Sequence, residues 1–159
     1  MTILNTLRSS RLFQGIPDSH LKKLAVLAVE QHYATGSTLF QENAHHHTFY
    51  LVGKGIVSLD IHIPRRGPVR VLTVGPGEIL AWSAILGDGT MTTSAITAEP
   101  VSVVAWPADK LLALCQADHE IGYILMQRIA SALSRRLTAT RLQLLDMFAE
   151  SEPVPRPTP

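Results

Sequence analysis

Apolar positions along this chain change their period twice. Over the first 28 residues they recur at helical spacing: Ile3, Leu4, Leu7 and Leu12, then Leu21, Leu24, Ala25, Leu27 and Ala28. That spacing predicts two amphipathic helices, the first over residues 1–13. Gly15-Ile16-Pro17 separates them, and Asp18 or Ser19 can cap the second. From Val29 the pattern turns to strands. Residues 30–33, 38–42, 47–52, 56–63 and 69–74 are short runs divided by Gly36, by Gly53-Lys54-Gly55 and by the loop Pro64-Arg65-Arg66-Gly67-Pro68. A last strand, residues 101–106, is almost wholly apolar and reads as buried. Pro107 then suits the first position of a helix over 108–116, and Asp118 caps the final and longest helix, 119–149. Short strands between glycine turns, flanked by helices, predict a mainly β domain, an antiparallel jelly-roll barrel over residues 1–149. Residues 151–159 hold four prolines in nine positions, so the stretch from 150 to the end reads as a disordered tail.

The final helix carries two apolar stripes. Met126, Ala130, Leu133, Leu137, Thr140, Leu144 and Met147 recur at alternating spacings of four and three. That is a heptad seam suited to a two-helix coiled coil. Leu125, Ile129 and Ala132 lie on a neighbouring face and suit packing on the barrel. Two faces ask for two partners. The alternative is one wide stripe packed on its own domain. Arg135, Arg136 and Arg141 read as a solvated flank.

Residues 75–98, between the fifth strand run and the last one, organise the rest. The turn Gly75-Pro76-Gly77 opens a short apolar helix, 79–86, and Gly87-Asp88-Gly89 hands over to a threonine-rich strand, 92–98. A short helix between two turns presents backbone N–H groups that can hold an anion or a polar ligand. The residue order here resembles the phosphate-binding cassette of the cyclic-nucleotide-binding domain, the sensor half of catabolite-activator and FNR-type (CRP/FNR) regulators. The cassette reads Gly-Glu-x-x-Gly-Glu, a short helix, a loop, then Arg-Ser/Thr-Ala. Gly77-Glu78 and Ser94-Ala95 match it. Ala81-Trp82 stands in place of the second Gly-Glu, and Thr93 in place of the arginine. Leu12-Phe13-Gln14-Gly15-Ile16-Pro17 looks like the family's helical lead-in. The run from Gly36 through Phe49-Tyr50-Leu51-Val52 and Gly55-Ile56-Val57-Ser58-Leu59 is spaced similarly. Asn43 follows Glu42 where the family usually has glycine, and asparagine is the next best residue for a left-handed backbone.

The resemblance implies a sensor that pairs through its C-terminal helix, so a homodimer is expected, with another regulatory protein as a further candidate partner. It also implies a ligand pocket at Gly77, Glu78, Ala81, Trp82, Ser83, Thr92, Thr93, Ser94 and Ala95. Thr140 falls where the family's dimer helix meets the purine, or else is a polar notch in the seam. In the family the cassette arginine pairs with the cyclic phosphate and the glutamate accepts from the ribose hydroxyl. Losing two such charged contacts, each worth about 1.5–3 kcal/mol, removes roughly 10²- to 10⁴-fold in affinity. Three readings stay open: a cyclic-nucleotide sensor, a sensor of another small ligand, and a docking module with no small ligand.

Composition narrows the field further. Apolar residues make up 46% and charged residues 17%, which suits a globular domain with a sizeable core. Net charge is +1, so no general pull on nucleic acid is expected. A proline-rich tail cannot supply the DNA-reading domain of the family's transcription factors. Cys115 is the one cysteine, which points to a reducing, cytoplasmic setting. No run is long and apolar enough for a membrane span, and no signal-peptide layout precedes the first helix. His45-His46-His47 could offer ligands as cupin-like jelly rolls do, if Glu42 or His62 converged on them; an exposed hairpin loop explains them as well, and neither metal nor cofactor is expected. Arg65 and Arg66 read as loop charges that could in principle reach an anion. No nucleophile stands beside a base, so an enzyme is not expected.

Overall fold

The change of period at Val29 falls where helix becomes strand. The computed structural model describes residues 2–151, and its elements follow the chain: α1 Ile3–Ser9, a 3-10 turn Arg11–Phe13, α2 Asp18–Leu27, β1 Val29–Tyr33, β2 Thr38–Phe40, β3 Thr48–Lys54, β4 Val57–Ile63, β5 Gly67–Val74, β6 Ile79–Leu80, α3 Ser83–Leu86, β7 Ser94–Thr97, β8 Val101–Pro107, α4 Ala108–Ala117 and α5 His119–Ser151. The predicted first helix is divided. Ser10 takes an extended backbone, and its hydroxyl accepts from Leu12 N–H, which starts a new turn. A serine that offers the backbone a local bond competes with helix continuation.

Every strand pairing is antiparallel. The strands form two four-stranded sheets, ordered β1-β8-β3-β6 and β2-β7-β4-β5. This is a jelly roll of two sheets, and among the described residues no ladder joins them into one closed barrel. β8 lies inside its sheet between β1 and β3, which pair both its edges, and the N-terminal helices cover it at Trp106 through Phe13 and Leu24. Val101, Val103, Val104, Ala105 and Trp106 are all buried. Gly55 makes the corner at which the chain leaves β3 for β4 in the other sheet. Between β2 and β3, Asn43 holds the left-handed backbone anticipated for it, at φ 65°, and this ends the strand short of residue 42.

Trp106 ties the N-terminal helices to the sheets. Its ring packs between Phe13 and Phe49, with centroids 6.1 and 6.0 Å away. Its Nε1–H donates to the Leu24 carbonyl at 2.8 Å. At the end of α2, Ala28 N–H turns to Ala25 O, so the indole satisfies a carbonyl at the helix end. Buried helix ends require such partners.

The 33-residue α5 starts on the domain and runs off it. Ile121, Leu125 and Ile129 are buried, and Ala132 and Leu133 pack at the margin of the core. Farther along, Leu137, Leu142, Leu144, Leu145, Met147 and Phe148 are each half exposed or more. The helix continues through Glu150 and Ser151, two residues beyond the predicted boundary; the rest of the proline-rich stretch lies outside the described residues. No helix among the described residues is long and apolar enough to cross a membrane.

Candidate ligand site

The turn at Gly75 is pinned by its own acid. Gly75 N–H donates to Glu78 Oε2 at 2.7 Å, and Glu78 N–H closes on Gly75 O at 3.2 Å. Gly77 N–H donates to Val52 O, and Val52 N–H donates to Glu78 O. The turn is thereby fastened to β3, and the Glu78 carboxylate serves the backbone of its own loop. The next two residues do not begin a helix as expected. Ile79 and Leu80 pair with Leu51 and Tyr50 as β6, and both are 1% exposed. Burial at a sheet edge outweighs their helical propensity.

Ala81 then turns the chain with φ 59°. It stands where the cassette pattern places glycine, and it holds a glycine's backbone at a cost of about 1–2 kcal/mol. The single turn α3 follows, its cap Trp82 offering no side-chain acceptor. The strand after it begins at Ser94, two residues later than predicted.

Ala81, Trp82, Ser83, Thr92 and Thr93 come together around a cavity of about 20 Å³, room for about one water. The same wall is completed by Arg136 of α5. Its guanidinium donates to the Ile79 carbonyl and lies half-buried against the cassette. Burial pulls its pKa down from the ordinary arginine value, and Glu78 acts in the opposite sense. Arg136 is therefore not the solvated flank expected of it. The sequence did carry a signal. Arg136 lies four residues after Ala132 and seven after Ile129, so it continues the buried stripe.

Gly77 and Glu78 open instead onto an adjoining groove of about 450 Å³, between the turn and Ala132, Arg136 and Ala139. Ser94 and Ala95 are structural. Ser94 Oγ accepts from Glu42 N–H at 2.9 Å, and Ala95 is buried between Phe40 and Leu59. Thr140 is exposed, with its hydroxyl bonded to Arg136 O at 2.9 Å, and within one chain it does not line the cassette cavity. Arg65 and Arg66 sit exposed at the tip of the β4–β5 hairpin.

The three histidines diverge. His46 turns inward, and its Nε2 lies 2.8 Å from Tyr50 Oη. Burial lowers the His46 pKa and raises that of Tyr50. His45 and His47 stay exposed, with rings stacked at a centroid distance of 6.4 Å. Glu42 does meet His62, but by accepting from its backbone N–H at 2.8 Å. Cys115 is half-buried, and burial raises its thiol pKa.

A two-sheet jelly roll carrying a glycine turn, a one-turn helix and a long C-terminal helix against that turn is the fold shared with solved cyclic nucleotide-binding proteins. The chain belongs to the cyclic nucleotide-binding domain family, whose model matches residues 30–118. A crystal structure of a protein described as cyclic nucleotide-binding, from Geobacter metallireducens GS-15, superposes with TM-score 0.76. It is 30% identical, and the match covers 86% of this chain and 99% of that one. The Cyclic AMP receptor protein of Thermus thermophilus is 26% identical over 139 residues, 87% of this chain and 62% of that protein. Glutaminase 2 of Bradyrhizobium diazoefficiens is 23% identical over 133 residues, 84% of this chain and 20% of that protein. The chain thus spans between 20% and 62% of the curated relatives it matches.

Proposed function

We propose that this chain is a non-enzymatic, dimeric regulatory module of the cyclic-nucleotide-binding type whose cassette does not take cyclic AMP or cyclic GMP in the family's ordinary way. The observation that carries this is the cavity of about 20 Å³ at Trp82 and Arg136. Pockets for small molecules occupy about 300–1,000 Å³, a size reached by the adjoining groove at Gly77 and Glu78 but not by the space between Trp82 and Thr93. The two residues that would hold the phosphate and ribose are also replaced, by Thr93 and Trp82. Arg136 supplies a guanidinium at this wall, held there by one of its donors on the Ile79 carbonyl. The second copy docks along the seam of α5, where Leu137, Leu144 and Met147 stand exposed.

Titration calorimetry with cyclic AMP and cyclic GMP tests the reading. The wild type is expected to bind neither below about millimolar, since two lost charged contacts remove about 3–6 kcal/mol. Trp82→Glu with Thr93→Arg is expected to gain measurable affinity. Micromolar binding by the wild type overturns the proposal and makes the chain an ordinary nucleotide sensor.

A further inference from the structure

Three arginines converge on a second groove, beside the one onto which Gly77 and Glu78 open. It holds about 440 Å³ and lies between the 3-10 turn at Arg11 and the middle of α5. Arg11, Arg128 and Arg135 line it, together with Gln14, Gln127 and Ser131, and no carboxylate does. Clustering is not a by-product of general basicity, because 14 basic side chains face 13 acidic ones over the whole sequence. None of the three has a carboxylate within ion-pair distance among the described residues. Arg128 is held in place by the Gln14 carbonyl, which accepts from its Nη2 at 2.7 Å. That leaves a fixed, planar fork with further donors to offer.

The groove stays open when α5 pairs along its seam. Arg135 is two residues from Leu137, and Arg128 is five from Leu133. At 3.6 residues per turn those steps are offsets of about 200° and about 140° around the helix. The groove also adjoins the space at Gly77 and Glu78, with Arg11, Leu12 and Arg135 on the border of both. An occupant would touch the N-terminal turn, the C-terminal helix and the flank of the cassette together.

We propose that this groove is a binding site for a small polyanion carrying at least two phosphate groups. Its volume is that of a small-molecule site, and guanidinium forks match phosphate oxygens in pairs. Like charges gathered around one concavity repel each other until an anion fills it.

The test uses inorganic tripolyphosphate and a nucleoside triphosphate as probes, followed by thermal shift and calorimetry on the full chain. Both are expected to raise the melting temperature. Equal affinities would mean that phosphates alone are read, and tighter binding of the nucleotide that its base is read too; either supports the site. Arg11→Gln and Arg135→Gln change exposed side chains and, by relieving repulsion, should not lower the melting temperature without ligand. Each is expected to weaken binding about tenfold, the lower range for a lost charge-assisted contact. The gain should survive Trp82→Glu with Thr93→Arg, which separates this site from the cassette. No shift with either probe, an equal shift in the arginine variants, or the same shift from sulfate at matched ionic strength overturns the proposal. Preferential binding of a polyglutamate peptide overturns the small-phosphate assignment.

Discussion

Gly55→Ala probes the corner where the chain passes from one sheet to the other. Gly55 has φ +88°, and a Cβ built there would lie 2.4 Å from the Pro100 carbonyl oxygen, 2.8 Å from Val101 Cγ2 and 3.0 Å from Val101 Cα. The left-handed backbone costs alanine about 1–2 kcal/mol. The contact is with backbone, so relief requires β8 to move away from the corner, an overpacking cost of about 1–3 kcal/mol. Loss of unfolded-state freedom returns about 0.4–1 kcal/mol. The net loss is about 2–4 kcal/mol, a fall of about 5–15 °C in melting temperature for a domain of this size. Gly67→Ala is the matched control. Gly67 has the same φ of +88°, with nothing within 4 Å of the place an alanine methyl would take, so it carries the dihedral cost without the clash. Urea and thermal unfolding, followed by circular dichroism, should place Gly55→Ala about 1–3 kcal/mol below the control. Equal losses in the two variants would refute the steric half of the reasoning. A loss under about 0.5 kcal/mol at Gly55 would refute both halves.

Leu137→Glu sets like charges against each other across the seam, and sedimentation should report half the wild-type mass; a variant that keeps the wild-type dimer would show that the seam packs elsewhere. Trp106→Phe strands the Leu24 carbonyl and leaves a void in the core, an expected loss of about 2–4 kcal/mol on urea unfolding; a change under about 1 kcal/mol would mean that water replaces the indole N–H. His46 is held neutral by burial, with His47 adding to the effect. Its folded pKa lies below its unfolded one, so the unfolded chain takes the proton first as pH falls. Stability should decline below about pH 6.5, and His46→Gln should flatten that slope in melting curves between pH 8 and 5.5. The carboxylates of Asp18 and Asp118 are lowered by Arg8 and by Lys23; their contribution is lost only at lower pH, below about 4. An unchanged slope in the His46 variant would assign the effect to another group.

How legible the fold was depended on whether a residue's surroundings were local. The switch from helical spacing to short strands at Val29 needs only neighbours to be seen, and so does the left-handed Asn43 after Glu42. The buried stripe of α5 follows from the 3.6-residue repeat. Ile79 and Leu80 could not be placed so simply. Two apolar residues have no period, and their strand identity comes from Tyr50 and Leu51 across the sheet. Ser10 divides the first helix through one hydroxyl bond that no spacing reveals. At the site, the turn at Gly77 and Glu78 and the positions of Ser94 and Ala95 were legible from residue order. The closing of the cavity was not, because Arg136 arrives from 55 residues after Ala81, although its place on the buried stripe was there to be read.

Half of α5 is anchored and half is free, and this gives the helix the mechanics of a lever. The fulcrum lies near Arg136, where the last half-buried side chain of the helix meets the cassette loop. From there to Ser151 the rod extends about 22 Å at 1.5 Å per residue. A tilt of about 10° at the fulcrum would carry the far end through about 4 Å. Displacements too small to register among packed side chains would thereby emerge as a change of reach, large enough for a partner to distinguish.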